Sequence, residues 1–228
     1  MFFCPKNIYN PHPLYGGIPT YRVSPMISYI RLLHASPKSP AVDVYINDML
    51  KFRNLNYGAF TDYMEIVTGN YNVKVYAAGT KASPVLTKNI FVPPGRIYTA
   101  AAIGLLPNID ILPIPEPKVM EPTNNAYIKF AHLSPNAGAV DIALADGTIL
   151  FKNISYKGFT NYIQVPAGTY TIEAKPTGTK TTVLYVPNVT LKPQRFYTVY
   201  AIGLINDRPG IQALIPLDGS SYLDLTED

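Results

Sequence analysis

The chain has 228 residues, 47% of them hydrophobic and only 15% charged, and its 19 basic and 15 acidic residues leave a net charge of +4. This balance excludes intrinsic disorder, which requires low hydrophobicity and high charge, and the singly scattered cations exclude a nucleic-acid-binding stripe. One cysteine, Cys4, allows neither an internal disulfide nor a cysteine-rich zinc site, and apolar runs such as 100–106 fall far short of the roughly 20 residues that span a bilayer, so no membrane span is expected.

The first 28 residues read as an extended arm rich in proline and tyrosine. Its apolar start is broken at Pro5, Lys6 and Asn7, which does not fit the uninterrupted apolar stretch of a classical export signal. Prolines deny it a core of its own, yet Ile8, Tyr9, Leu14, Tyr15, Ile18, Tyr21 and Val23 need a surface to cover. The expected surface is an open sheet edge of a neighbouring subunit, which accepts an added strand. Cys4 is then a candidate intersubunit disulfide.

From residue 29 the chain repeats itself. "YIRLLHASPKSPAVDVYI" from Tyr29 returns as "YIKFAHLSPNAGAVDIAL" from Tyr127, and "FRNLNYGAFTDYMEI" from Phe52 returns as "FKNISYKGFTNYIQV" from Phe151. The register persists through "GNYNVKVYAAGTK" from Gly69 and "GTYTIEAKPTGTK" from Gly168, then "PGRIYTAAAIGLL" from Pro94 and "PQRFYTVYAIGLI" from Pro193. Two copies of one domain are therefore predicted at 29–116 and 127–217, with a proline-stiffened linker at 117–126 and an acidic tail at 218–228.

Within each copy, short runs such as "VDVYIN" and "YNVKVYA" alternate with the period of two that buries one strand face. Turn residues punctuate them every 8 to 12 positions or so. "RIYTAAAIG" and "RFYTVYAIG" are continuously apolar, as a central strand is. No sustained helical period occurs. The predicted fold is all-β: two tandem immunoglobulin-like β-sandwich domains of the same topology, with about seven strands each.

The residue types that could carry chemistry recur in both copies: His34, Ser36 and Asp43, then His132, Ser134 and Asp141. A histidine oriented by a carboxylate next to a hydroxyl suggests nucleophilic catalysis. Each serine, however, directly precedes a proline at a strand end, and no Gly-rich oxyanion motif accompanies it. These six are predicted to form a structural repeat motif in which His and Asp satisfy backbone groups where the chain turns. One histidine per copy does not make a metal site. The recurring tyrosines, including Tyr57, Tyr63, Tyr71 and Tyr98, are expected to pack with their hydroxyls at the rim.

The His-x-Ser-Pro followed by Val-Asp-Val/Ile, with the "GNYNVKVY" and "YTAAAIG" strands, resembles the domain of unknown function family 4397 over both copies. The resemblance implies a β-sandwich found, often in tandem, in bacterial exported or cell-surface proteins, with no established activity. The expected function is that of a non-enzymatic structural subunit of a bacterial surface assembly (spore coat, appendage or filament), which associates with itself through the arm at the cell or spore surface. The alternative is a surface-displayed binding module for carbohydrate or protein. No cofactor, metal or nucleic acid is expected. The chain itself is the expected partner, with other surface proteins or glycans beside it.

Overall fold

The structure, a computed structural model, describes residues 27–117 and 123–223. They form sixteen strands and one short 3-10 turn at Gly219–Ser221. The first copy contains β1 (Ile27–His34), β2 (Val42–Ile46), β3 (Met49–Leu55), β4 (Met64–Val67), β5 (Gly69–Ala77), β6 (Leu86–Val92), β7 (Ile97–Leu105) and β8 (Asn108–Glu116). The second contains β9 (Asn125–His132), β10 (Val140–Leu144), β11 (Ile149–Ile154), β12 (Ile163–Pro166), β13 (Gly168–Pro176), β14 (Leu184–Leu191), β15 (Phe196–Ile202) and β16 (Gln212–Leu214).

Each copy is a sandwich of two four-stranded sheets. The orders β4-β1-β7-β8 and β3-β2-β5-β6 in the first are matched by β12-β9-β15-β16 and β11-β10-β13-β14 in the second. The topology is the same in both, as the repeat requires. In each, the first and seventh strands pair in parallel, Leu32 opposite Ala100 and Phe130 opposite Val199. Each copy thus has eight strands against the expected seven. The eighth comes from the segment after the apolar "AIGL" run, which folds back antiparallel on the strand before it.

The continuously apolar strands owe their composition to two covers, one on each face. Ile30 and Leu32 of β1 point into the first sandwich, whereas Leu33 packs with Ala101, Ile103 and Ile114 against Ala131, Leu133, Tyr200 and Ile202 of the second copy. Alternate residues of one strand point to opposite faces, so β1, β7, β9 and β15 each serve their own sandwich and the junction between the two. The sandwiches therefore meet face to face through their parallel-pair sheets. Leu33, Ala101, Ala131 and Tyr200 are fully buried there.

The packed structure also runs past the predicted end of the second copy. Asp218 is fully buried, its backbone N–H donates to the Phe196 carbonyl, and Gly219 and Ser221 are buried behind it. The sequence reading placed Asp218 in an acidic tail. The structure puts it in line with Glu116, because Phe196 is the counterpart of Ile97 and Ile97 pairs with Glu116.

Candidate functional site

The repeated motif is positioned where β1 and β9 end. His34 Nε2 lies 3.0 Å from the Pro40 carbonyl, and the Ser36 N–H lies 3.4 Å from Nδ1, so the proton sits on Nε2 and Nδ1 accepts. Ser36 Oγ donates to the Gly104 carbonyl at 2.7 Å. The second copy repeats this with His132 on Gly138 and Ser134 on the Gly203 carbonyl. Gly104 has φ of 95°, and a Cβ there would stand 2.4 Å from the Asn108 carbonyl oxygen. Only glycine therefore allows the close hairpin that offers its carbonyl to the serine. Burial lowers the pKa of both histidines, against the hydrogen bonds to Pro40 and Gly138, and so favours neutral rings.

Asp43 accepts from the Asn54 N–H at 2.8 Å and the Gly79 N–H at 3.0 Å, and Asp141 accepts from Asn153 at 2.7 Å and Gly178 at 3.3 Å. Those backbone donors are the first cause of the lowered pKa of each carboxyl. Histidine, serine and aspartate thus each serve backbone groups, Ser36 meeting Ser39 as well. Cys4, Ile8, Tyr9, Leu14, Tyr15, Ile18, Tyr21 and Val23 lie outside the described residues. Among the described residues no group of three or more His, Cys, Asp or Glu is placed to hold a metal ion.

Sequence reasoning missed a charged cluster at the junction. Arg31, 4% exposed, donates from Nε to Thr99 Oγ1 at 2.8 Å, from Nη1 to the Leu217 carbonyl at 3.0 Å and from Nη2 to Asp218 Oδ1 at 2.7 Å. Its guanidinium lies 4.8 Å from the ring centroids of both Phe60 and Tyr63. Glu116 accepts from Tyr63, Thr99 and the Gly219 N–H, and Asp218 accepts from Tyr162 and Thr198. Lys129, 1% exposed, donates to the Pro115 carbonyl and stands over the Tyr162 ring. Arg31 and Lys129, Thr99 and Thr198, Tyr63 and Tyr162, and Glu116 and Asp218 are counterparts, so the cluster is one motif contributed twice. Burial alone would lower the Arg31 pKa, but the surrounding phenols of Tyr200 and Tyr63 and the carboxylates of Asp218 and Glu116 raise it. Burial pushes the Lys129 ammonium down to about 8 against the pull of the same carboxylates. The signal was present in the sequence: a cation at one register position of an apolar strand, in both copies.

The two sandwiches differ in their interiors. The first encloses an apolar cleft of about 390 Å³ between its sheets, and the corresponding space in the second measures about 10 Å³. Ile30, Leu32, Tyr98 and Ala100 line this cleft and are only half-buried, whereas Ile128, Phe130, Tyr197 and Val199 at the matching positions are buried. Phenylalanine for leucine and valine for alanine supply volume that the first copy lacks. The edge strands differ too. β6 pairs with β5 in unbroken register, Val73 opposite Lys88, while β14 carries a bulge between its partners Tyr170 and Ile172, with Val186 in the place of Lys88. Lys88 Nζ reaches Asp110 and the Ile111 carbonyl across the mouth, and Phe91 beside it is 61% exposed. The cleft is open to solvent, so its half-buried lining at Ile30, Leu32, Tyr98 and Ala100 is apolar surface left in contact with water, which an apolar occupant would remove at roughly 25 cal/mol per Å².

Comparison with solved structures finds matches at low similarity. A family CBM26 module of Eubacterium rectale Amy13K, solved with maltoheptaose, is 9% identical, with 86% of this chain and 99% of that chain covered and a TM-score of 0.26. The Bacillus anthracis TIE protein is 12% identical over 79% of this chain and 34% of that one, TM-score 0.25. A putative cell adhesion protein of Bacteroides eggerthii is 10% identical over 85% and 95%, TM-score 0.22. Scores this low carry no argument about function. Comparison with curated proteins finds no match. The model of a domain of unknown function, DUF4397, matches residues 28–143 and again 143–221, its junction falling inside β10 of the second sandwich. Both copies lie within these matches, and the chain belongs to the DUF4397 family.

Proposed function

We propose that the chain is a non-catalytic, surface-displayed binding module whose receptor site is the cleft of the first sandwich, and that the ligand is an apolar protein segment. The observation that carries this reading is the divergence of the two copies: one fold, one chain, the second interior filled and the first left open at Leu32 and Ala100. The second sandwich, joined through the buried cluster, is its scaffold. A carbohydrate is the weaker ligand, because sugar hydroxyls need hydrogen-bond partners and the lining is almost entirely aliphatic and aromatic. The surface location rests on the exported character that the family resemblance implies. The assembly reading, with its spore or filament setting, rests on residues before Ile27 and ranks below the binding reading.

The test is to probe peptide and glycan arrays with the labelled chain carrying Tyr21→Ser and Val23→Ser, which changes no described residue and weakens any cover from the chain's own start, and with the same chain carrying Leu32→Phe and Ala100→Val in addition, which copies the second sandwich. Binding to apolar peptides that the second variant loses supports the proposal. Binding to glycans that the second variant keeps overturns it.

A further inference from the structure

We infer that the cleft of the first sandwich is occupied by the chain's own N-terminal segment, within residues 1–26; this rests on the reading of the cleft as a site for an apolar protein segment. Two unmatched features stand side by side in one molecule. Among the described residues nothing apolar covers the cleft. Residues 1–26 hold only two charged side chains, Lys6 and Arg22, among Phe2, Phe3, Ile8, Tyr9, Leu14, Tyr15 and other apolar groups. Segments that remain in water are poor in such residues.

The place where the segment joins the fold selects the first sandwich of the same chain. Ile27 opens β1, and Ser28 Oγ donates to the Pro93 carbonyl at 2.7 Å. Pro93 lines the cleft, so the segment leaves the fold beside one end of it. The lining runs from Ile66, opposite Ser28 of β1, to Ile111, opposite Ala102 and so level with His34, a length that about six extended residues cover at roughly 3.3 Å each. Tyr21 and Val23 alternate with Arg22, so one face of an extended 21–23 is apolar and the other charged. A tether this short holds the segment at an effective concentration in the millimolar range, well above that offered by another copy in dilute solution. The second sandwich follows β8 after a few residues only and has no comparable segment before it, and its interior is closed by its own side chains.

The test is limited trypsin digestion of the full chain, following the bond after Arg22. In the wild type that bond is protected. Two variants should each speed its cleavage by about tenfold, since a released segment is cut from the open state: Leu32→Phe with Ala100→Val, which fills the cleft, and Tyr21→Ser with Val23→Ser, which alters the segment and no described residue. If the first variant fails to fold, the second decides. Protection should persist through about a hundredfold dilution, as an intramolecular contact does. Cleavage of the wild type as fast as the variants overturns the inference, and protection that fades on dilution overturns it in favour of a second copy as donor. Rapid wild-type cleavage together with apolar-peptide binding on the array would remove this occupant and leave the proposed function standing.

Discussion

Arg31 of the first sandwich and Asp218 of the second meet at 2.7 Å where neither is exposed to solvent, and they join the two copies by a charge pair that each copy supplies only in half. Such a pair contributes little net stability compared with an apolar replacement, but removing one partner strands the other. Arg31→Met, which strands the buried Asp218 and Glu116, should therefore destabilise the chain by about 3 to 5 kcal/mol, and adding Asp218→Leu to it should recover part of that loss. Denaturant titration of the two variants measures it. If the double variant is no more stable than Arg31→Met, the pair does not act as a unit.

Tyr162 and Tyr156 offer a contrast six residues apart. The Tyr162 hydroxyl donates to Asp218 Oδ2 at 2.7 Å, while the buried Tyr156 hydroxyl has no hydrogen-bond partner among the described residues. Tyr162→Phe leaves a buried carboxylate short of a donor and should cost about 1 to 3 kcal/mol. Tyr156→Phe removes an unsatisfied group and should be neutral or stabilising. Thermal unfolding of the two variants checks the difference in sign.

The acid limb of stability should carry the histidines. Burial holds the folded-state pKa of His34 and His132 below 6.5, so the unfolded chain binds protons first as pH falls. Their contribution is present above about 6.5 and is lost as pH drops below it. Asp218 acts in the opposite sense: burial and the nearby Glu116 push its carboxyl up to about 6, so its contribution is lost as pH rises from 3.8 through 6. Unfolding midpoints between pH 7 and 5 should fall for the wild type and fall more steeply for Asp218→Asn. In His34→Asn, His132→Asn, where Asp218 remains without the opposing histidines, they should rise towards pH 5, although that variant is less stable at pH 7. A wild-type midpoint that rises towards pH 5 would show that Asp218 dominates.

The fold was legible because offsets of 98 and 99 survive through the seventh strand of each copy, so whatever one copy forms the other must form. The junction was not, because a strand covered on both faces shows a continuous apolar run that does not say what covers the second face. Leu33 and Ala101 read as core of their own sandwich and are core of the pair. Arg31 and Lys129 were the legible exception, and Asp218 was hidden by three extra residues in the hairpin after β15, which shift its counterpart relation with Glu116 to 102. The cleft is invisible to pattern altogether: Leu32 and Ala100 are as apolar as Phe130 and Val199, and the difference between them is volume.

That difference in volume can be tested in reverse, by opening the second sandwich. Phe130→Leu with Val199→Ala gives it the residues of the first at two matching positions, both nearly fully buried in the native chain. The missing atoms remove packing and leave a cavity, for about 2 to 4 kcal/mol of stability. No apolar segment precedes the second copy to cover what is opened, so the full cost should appear in denaturant titration, and an apolar dye such as ANS should gain a binding site. The first sandwich bears the same residues natively and should not add to the dye signal while its cleft is covered. If the variant loses less than about 0.5 kcal/mol, side-chain volume is not what closes the second sandwich. The bulge in β14, which sets Val186 inward where β6 has Lys88, would then be the element that distinguishes the two copies.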